Sequence, residues 1–303
     1  MNKPTVQDIF RCFYPAYLEK YSPSPEQAKV ARNILNCKTG AYGANVSVCE
    51  ECGAVQIHYN SCRNRCCPMC QAVPKEMWMD ARREDVLDAP YFHLVFTVPD
   101  ILNPIIYNNQ KLLYDTLYHA ASATISELTA DPKHLGADVG YICILHTWGS
   151  EMNFHPHIHT ILLGGGLTSK NEWKDNGTEF FLPIRAVSKS FRGKYIDELK
   201  HLWNTGQLEF HGTAEKYRNY YVFKDLLDSC YDTEWIPYCK KTFNGAGSVI
   251  DYLGKYTHRI AISNHRIICM DDENVTFSVK DYRNKGQWKE LTLSGVEFIR
   301  RFL

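Results

Sequence analysis

The sequence predicts an α+β protein in which an antiparallel sheet with flanking helices follows a small helical and zinc-binding module. Three observations support this prediction. Two segments rich in branched and aromatic residues, at 139–148 and 157–163, are joined by a short connection, which is typical of an antiparallel pair of strands. Segments with the apolar spacing of helices lie on both sides of this pair. Eight of the twelve cysteines stand before residue 71, several of them in close pairs.

The length and charge of the chain limit its class. A chain of 303 residues exceeds what one small core usually serves, so we predict a helical segment at 1–36, a zinc-binding module at 37–88 and a main domain at 89–303. No segment approaches the roughly 20 apolar residues of a bilayer span, and the N-terminus lacks the hydrophobic run of a signal peptide, which predicts a cytoplasmic protein without a membrane partner.

The 34 basic residues balance 34 acidic ones, which argues mildly against a nucleic-acid partner. Local clusters weaken this objection, because basic residues collect near the cysteines (Arg63, Arg65, Arg82 and Arg83) and near two tyrosines (Lys255, Arg259 and Arg266).

The N-terminal part combines two helices with paired cysteines. Helices are predicted at 6–21 and 25–35, where Ser24 and Pro25 form a cap and a first turn. Two Cys-x-x-Cys pairs follow, Cys49 with Cys52 and Cys67 with Cys70. Each short turn presents two thiolates, so the two pairs can close one tetrahedral Zn²⁺ site.

The remaining cysteines can supply most of a second zinc site, which would use Cys37, Cys62 and Cys66 with His58 as a further donor. A zinc ion with four protein ligands has no open position for a substrate, so either site would be structural. We expect such a site to stiffen a loop that displays Arg63 and Arg65 toward phosphate.

The spacing predicts further elements along the main domain. Helices are predicted at 74–87, at 109–129 and over most of 188–228. Strands are predicted at 91–98, 234–240, 274–281 and 288–293, and the last two are expected to complete an open antiparallel sheet. The glycines at 164–166 are interpreted as a turn that ends a strand rather than as a phosphate cradle, because no helix start follows them.

Two short patterns in this domain carry chemistry. His157 and His159 lie on one face of a predicted strand, on either side of Ile158, and can hold one cation between them. Ser248 caps a predicted helix that places Tyr252 and Tyr256 one turn apart on one face. A cation can polarise a phosphate for attack by a tyrosine oxygen, but each pattern alone is weakly specific in a chain with 19 tyrosines.

Separated motifs of the chain closely resemble the rolling-circle transposases of the insertion-sequence-91 family, which are relatives of the HUH endonucleases. The resemblance runs from about Cys37 to the end, and its motifs are Ser61–Gln71, His146–Gly149, His155–His159 with Gly164–Gly166, and Tyr252–Arg259. It implies a sheet of the HUH nuclease type and a bacterial, nucleoid-associated enzyme whose partners are single-stranded DNA and transposon ends. It also implies nicking and strand transfer through 5′-phosphotyrosine links to Tyr252 and Tyr256, with Lys255 favouring the phenolate and Arg259 close to the DNA.

The same resemblance implies a catalytic Mg²⁺ or Mn²⁺ on a histidine pair and a third polar residue. His157 and His159 match the pair. Glu151 offers a hard oxygen suited to Mg²⁺, while His155 shares the strand parity but precedes a proline bend, and we favour Glu151 as the third ligand.

The chain departs from the family in two places. The family usually has histidine at the position of Cys66 and often another near Asn45, which bears on the second zinc site. The family domain also continues past Leu303, so we expect a copy truncated at its C-terminal end.

Two other classes stay open as alternatives. The first is a zinc-stabilised DNA-binding regulator or inactive transposase remnant, which does not explain the histidines. The second is a metal hydrolase of small molecules, which does not explain the zinc-binding module. The sequence sets neither the oligomeric state nor the DNA sequence recognised.

Overall fold

The computed structural model describes residues 3–175, 177, 181–235, 237–241, 249–252, 254, 260–281 and 286–303. The chain divides into two compact units. The first unit comprises Met1–Ala81, Trp148–Asn153 and Thr257–Leu303, and the second unit comprises Arg82–Thr147 and Phe154–Tyr256. The division at residues 36 and 88 stays a prediction. Among the described residues, no helix combines the length and apolarity that a membrane crossing requires.

The described helices and strands follow one another in a mixed order. The helices are α1 (Val6–Lys20), α2 (Pro25–Asn36), α3 (Ala72–Arg82), α4 (Asn103–Asn108), α5 (Gln110–Ala130), α6 (Ile184–Asn204), α7 (Tyr220–Asp232) and α8 (Gly295–Phe302). The strands are β1 (Ala44–Val48), β2 (Val55–Tyr59), β3 (Tyr91–Thr97), β4 (Asp138–Trp148), β5 (Phe154–Leu167), β6 (Trp173–Asp175), β7 (Tyr238–Lys241), β8 (Ile267–Met270), β9 (Asn274–Asp281) and β10 (Gln287–Ser294). Residues 249–252 and 254 are also helical.

The N-terminal helices of the first unit begin at strong caps. Thr5 and Asp8 form a capping box at the start of α1, and Ser24 and Gln27 form another at α2, where Pro25 occupies the first turn. These side chains satisfy backbone N–H groups that have no partner within the helix. The predicted helix starts are therefore confirmed.

The core of the first unit lies between α1, α8 and a three-stranded antiparallel sheet in the order β10-β9-β8. Alternate residues of β9, Val275, Phe277 and Val279, are buried and share one apolar cluster with Phe10 of α1 and Phe298 of α8. The prediction that these strands complete the main sheet is wrong. Their apolar face is buried against helices of their own unit, so they form a separate sheet.

The β1–β2 hairpin connects α2 to the later cysteines of the first unit. Its strands pair antiparallel from Ala44 opposite Tyr59 at the base to Val48 opposite Val55 near the tip. A hydrogen bond of 3.1 Å from the Lys38 N–H to the Asn60 carbonyl continues the pairing below the base. The hairpin thus brings the chain before it and the chain after it together.

The second unit is built on a five-stranded sheet in the order β4-β5-β3-β7, with β6 paired to β5. Strand β3 lies between β5 and β7 and is antiparallel to both. One apolar core joins β3 to α5 and α6, and it includes Phe92, Leu94, Phe96, Leu117, Ala121, Phe191 and Tyr195. The antiparallel sheet and its flanking helices confirm the α+β prediction.

The glycines at 164–166 lie inside β5 rather than in a turn, which corrects the interpretation of the sequence. A methyl group at Gly164 would press on the Phe92 ring, and one at Gly166 would collide with the backbone of Asp138. These positions are glycine because neighbouring strands approach closely, not because the chain reverses there.

Candidate active site and metal centres

Three buried histidines meet in the second unit. His146 comes from β4, and His157 and His159 come from one face of β5. Their ligand nitrogens all lie within 4.8 Å of one another, and the Nε2 atoms of His157 and His159 are 3.1 Å apart. We call these three residues the histidine cluster. The alternation of side chains along β5 places the pair on one face, as predicted.

A hydrogen bond to a backbone carbonyl orients the imidazole of His157. His157 Nδ1 lies 2.7 Å from the carbonyl oxygen of His155. A carbonyl only accepts, so Nδ1 carries the proton and the Nε2 lone pair faces the other histidines. Three imidazoles whose ligand nitrogens lie this close together form a donor set that fits a transition-metal cation.

Among the described residues, Glu151, the third metal ligand chosen from the sequence, is not part of the group of ligand atoms that His146, His157 and His159 form. Glu151 belongs to the first unit, where its carboxylate lies 3.0 Å from Lys289 Nζ and its carbonyl accepts from Arg301. The other option, His155, has its Nδ1 3.1 Å from an Asp100 oxygen. His146 completes the cluster because β4 and β5 are adjacent in the sheet, whereas the chain has left β4 before Glu151.

Tyr252 reaches this cluster through His93 of β3. The Tyr252 hydroxyl lies 2.5 Å from His93 Nε2, and the same nitrogen lies 2.9 Å from His159 Nδ1. On β3, Val95 is directly opposite His159, so His93 is two residues away on the same face of the sheet. Because the ring nitrogen has one lone pair, the hydroxyl and the His159 ring cannot both donate to it at once.

Burial also sets the charge of His93. The side chain is 7% exposed, and desolvation lowers the pKa of His93 to about 4. The ring is therefore neutral near pH 7 and offers Tyr252 a hydrogen-bond partner without a positive charge. The other predicted residues of this part, Tyr256, Lys255 and Arg259, lie outside the described residues.

Sequence reasoning missed His146 and His93. His146 stood in one of the family motifs, and His93 interrupted an otherwise apolar strand at 91–98. A buried histidine inside an apolar strand is a signal for function, but its partners depend on the strand order.

The second metal-capable group is the cysteine cluster of the first unit, formed by Cys37, Cys62, Cys67 and Cys70. Their four sulfurs lie within 4.8 Å of one another, and the sulfurs of Cys62 and Cys70 are 3.7 Å apart. Backbone N–H groups point at two of these sulfurs, at 3.5 Å each, from Cys62 to Cys37 and from Asn64 to Cys62. This is the donor set of a structural Zn²⁺ site.

The ionisation of these thiols depends on a cation. Burial raises the pKa of Cys62 to about 12 and also raises the pKa of Cys67, where neighbouring cysteines add to the effect. The thiols of Cys62 and Cys67 therefore stay protonated by themselves, and a dication bound beside them reverses this preference because it favours thiolates.

The structure groups the cysteines differently from the prediction. Cys67 and Cys70 join Cys37 and Cys62, rather than Cys49 and Cys52, while Cys66 lies outside the cluster. Cys37 precedes the β1–β2 hairpin and Cys62 follows it, so the pairing at the base brings them together. Cys49 and Cys52 lie at the tip of the hairpin. The tip is five strand residues from the base, which is about 16 Å at roughly 3.3 Å per residue.

The predicted DNA-binding arginines of this module lie on the loop between two cluster cysteines. Arg63 and Arg65 are exposed between Cys62 and Cys67. Their role toward phosphate stays a prediction.

Family models match both the part of the chain that contains the cysteine cluster and the part that contains the histidine cluster. A family model described as "Transposase zinc-binding domain" matches residues 9–98, and one described as "Putative transposase" matches residues 140–303. These two matches define the class of protein, a transposase with a zinc-binding domain. The chain belongs to the insertion-sequence-91 family of transposases, which confirms the resemblance found in the sequence.

Two curated relatives extend this match. The chain is 40% identical over 302 residues to the putative transposase y4qJ of Sinorhizobium fredii (strain NBRC 101917 / NGR234), which covers 99% of this chain and 76% of the relative. It is 29% identical over 280 residues to the transposase for insertion sequence element IS801 of Pseudomonas savastanoi pv. phaseolicola, which covers 91% of this chain and 65% of the relative.

Among solved structures, conjugative relaxase TrwC in complex with oriT DNA is similar at a distance. Its metal-free structure gives a TM-score of 0.31 at 13% identity, over 61% of this chain and 78% of the relaxase. The metal-bound structure gives 0.31 at 13% identity, over 87% of this chain and 98% of the relaxase.

Proposed function

We propose that this transposase nicks single-stranded DNA at transposon ends and transfers the strand through a 5′-phosphotyrosine on Tyr252, as a step of rolling-circle transposition. The observation that carries the proposal is the contact of the Tyr252 hydroxyl with His93, whose same nitrogen contacts His159 of the histidine cluster. A nucleophile and a metal-capable group that share one bridging side chain can act on the same phosphate.

The histidine cluster would hold the catalytic cation. When bound, a divalent cation supplies positive charge that stabilises the scissile phosphate as negative charge builds on it. Three imidazoles form a softer donor set than the carboxylate-containing set expected from the sequence, because His146 takes the place of Glu151. This set suits Mn²⁺ and other first-row transition cations better than Mg²⁺, which prefers oxygen ligands.

The chemical step uses the tyrosine oxygen. His93 orients the Tyr252 hydroxyl, whose oxygen attacks the phosphorus while the bond to the 3′ oxygen breaks and the phenolic proton is released. The products are a free 3′-hydroxyl, which has gained a proton, and a 5′-phosphate esterified to Tyr252. Because the phosphodiester is exchanged rather than hydrolysed, a later 3′-hydroxyl reverses the step at another site without ATP.

The remaining predicted residues complete the proposal. Tyr256 would form the second covalent link, with Lys255 and Arg259 beside it. Zn²⁺ on the cysteine cluster would hold the loop of Arg63 and Arg65 in place, so that both guanidinium groups meet the DNA backbone. Such an enzyme would act at the bacterial nucleoid.

Covalent capture tests the proposal. Labelled single-stranded oligonucleotides carrying a transposon end are incubated with the protein and Mn²⁺, and adducts are resolved on a denaturing gel. We expect an adduct that His157→Ala abolishes and that Tyr252→Phe removes or restricts to Tyr256. A DNA-binding regulator would bind the same oligonucleotide without any adduct, which would refute the proposal.

A further inference from the structure

Cys49 and Cys52 form a compact dithiol turn at the exposed tip of the β1–β2 hairpin. The Gly53 N–H donates to the Cys49 carbonyl and the Cys49 N–H donates to the Ala54 carbonyl, both at 2.9 Å. Gly53 has a φ of 69°, which closes the turn in a conformation that favours glycine. The N–H groups of Cys52 and Glu51 point at the Cys49 sulfur and lower the pKa of this thiol. The turn is thus preformed as half of a four-thiolate zinc site.

The other half of this site is not supplied by the described part of the chain. Among the described residues, only the cysteine cluster and the histidine cluster bring three or more metal-ligating side chains within 4.8 Å of one another. Cys49 and Cys52 belong to neither. Structural zinc requires four ligands, so this dithiol turn needs two more from elsewhere.

One face of the same hairpin is apolar along its whole length. The cross-strand pairs on this face are Ala44–Tyr59, Val46–Ile57 and Val48–Val55, while Asn45–His58 and Ser47–Gln56 lie on the other face. The five large apolar residues are each 49% to 62% exposed. A two-stranded hairpin is marginal in water by itself, so a continuous apolar face favours burial against a partner.

The charge of the hairpin excludes DNA as that partner. Residues 44–59 include Glu50 and Glu51 at the tip and contain no lysine or arginine. A DNA-binding hairpin requires basic side chains for the phosphates. A second copy of the chain supplies both missing features, since it brings a matching apolar face and two further thiolates.

We propose that two copies of this chain pair through their β1–β2 hairpins and hold one Zn²⁺ between the two tips, with Cys49 and Cys52 of each copy as its four ligands. A two-fold axis lets the apolar face of each hairpin cover that of the other. Binding releases the thiol protons, so four thiolates surround one dication. The cysteines of the dimer therefore hold three zinc ions, one in each cysteine cluster and one between the tips.

The glutamates at the tip add a salt dependence to this dimer. Glu50 and Glu51 of the two copies repel each other across the site. Salt screens such exposed charges within a Debye length of about 10 Å at 0.1 M, so added salt strengthens the pairing.

Native mass spectrometry and light scattering of the zinc-loaded full chain test the proposal, with His146→Ala/His157→Ala present in every variant so that the histidine cluster adds no zinc to the count. We expect a dimer with three zinc ions, and a monomer with one zinc ion for the double variant Cys49→Ser/Cys52→Ser. The matched control Cys12→Ser/Cys269→Ser changes two other exposed cysteines and keeps the dimer with three zinc ions. Retention of one zinc ion per chain shows that the Cys49→Ser/Cys52→Ser variant is folded.

The hairpin face has its own test. Ile57→Glu places a carboxylate on the apolar face, and we expect the dimer dissociation constant to rise by about tenfold or more, because a buried unpaired charge is costly. Gln56→Glu puts the same charge on the opposite face and is expected to change it by less than about twofold. The proposal is overturned by a wild-type monomer, by two zinc ions per chain, or by a dimer that survives loss of both tip cysteines.

Discussion

Replacing His93 with phenylalanine removes the side chain that joins Tyr252 to the histidine cluster while keeping the volume of the ring. The hydrogen bond to the Tyr252 hydroxyl has a length of 2.5 Å, and a neutral hydrogen bond contributes about 1 kcal/mol, or about fivefold in rate, to the position of the nucleophile. His93 Nε2 also contacts His159 Nδ1 at 2.9 Å, so His93 can orient a metal-ligating imidazole without binding the metal itself. Loss of such a partner typically weakens metal affinity by about 10- to 100-fold.

The assay separates these two effects. Adduct formation with a single-stranded oligonucleotide is measured against Mn²⁺ concentration, and Mn²⁺ affinity is measured independently by calorimetry. Because both partners share one lone pair of His93, we expect His93→Phe to show the effect of the bond that is made in the metal-loaded protein: about 10- to 100-fold more Mn²⁺ needed if His159 is the donor, or about fivefold slower adduct formation at saturating Mn²⁺ if Tyr252 is the donor. His93→Gln places an amide near the former Nε2 and is expected to recover part of that loss. Wild-type Mn²⁺ affinity and rate in the phenylalanine variant would refute the role of His93.

The same variant has a defined effect on stability against pH. Burial lowers the pKa of His93 to about 4, while the unfolded chain has the usual histidine pKa near 6.5. The unfolded state therefore takes up a proton first, and stability is lost as the pH falls from about 6.5 to about 4, by at most about 3 kcal/mol. We expect urea unfolding of His93→Phe without added Mn²⁺ to lack this component. An unchanged slope over that pH range would show that His93 is not the group responsible.

Three further changes test other parts of the structure. Cys62→Ser should lower the bound zinc by one ion per chain and destabilise the first unit, whereas Cys12→Ser should do neither, as measured by zinc content and thermal unfolding. We expect the wild type to form more adduct with Mn²⁺ than with Mg²⁺, and His146→Ala to reduce the reaction with Mn²⁺ more than that with Mg²⁺. Equal activity of the wild type with both ions would contradict the three-imidazole site. Gly166→Ala should cost about 1–3 kcal/mol in urea unfolding because its methyl group meets the Asp138 backbone, while Gly140→Ala, with open space around it, should be nearly neutral.

Local patterns in the sequence were sufficient for most of the helices and strands. The caps at Ser24 and Pro25 and the alternation through His157 and His159 depend on residues close in the chain, so they predict α2 and the face of β5 correctly. The glycines of β5 were misread because the reason for them, the close approach of Phe92 and Asp138, lies in other strands.

The histidine cluster and the cysteine cluster depend on strand pairings that local sequence patterns do not determine. His146 becomes a ligand only once β4 is known to lie beside β5, and His93 only once β3 is known to lie on the other side of β5. For the cysteines, spacing favoured the two Cys-x-x-Cys pairs, but the register of the β1–β2 hairpin places Cys49 at its tip and leaves Cys37 at its base. Strand order and register are set by the packing of whole faces, which no short motif contains.

The most direct measurement is the identity of the residue that carries the DNA. After reaction of the protein with a transposon-end oligonucleotide and Mn²⁺, the covalent complex is digested with protease and nuclease and the modified peptide is sequenced by mass spectrometry. We predict a nucleotide phosphate on Tyr252, and no adduct at all in the double variant Tyr252→Phe/Tyr256→Phe. The same yield of adduct from that double variant would contradict the tyrosine mechanism.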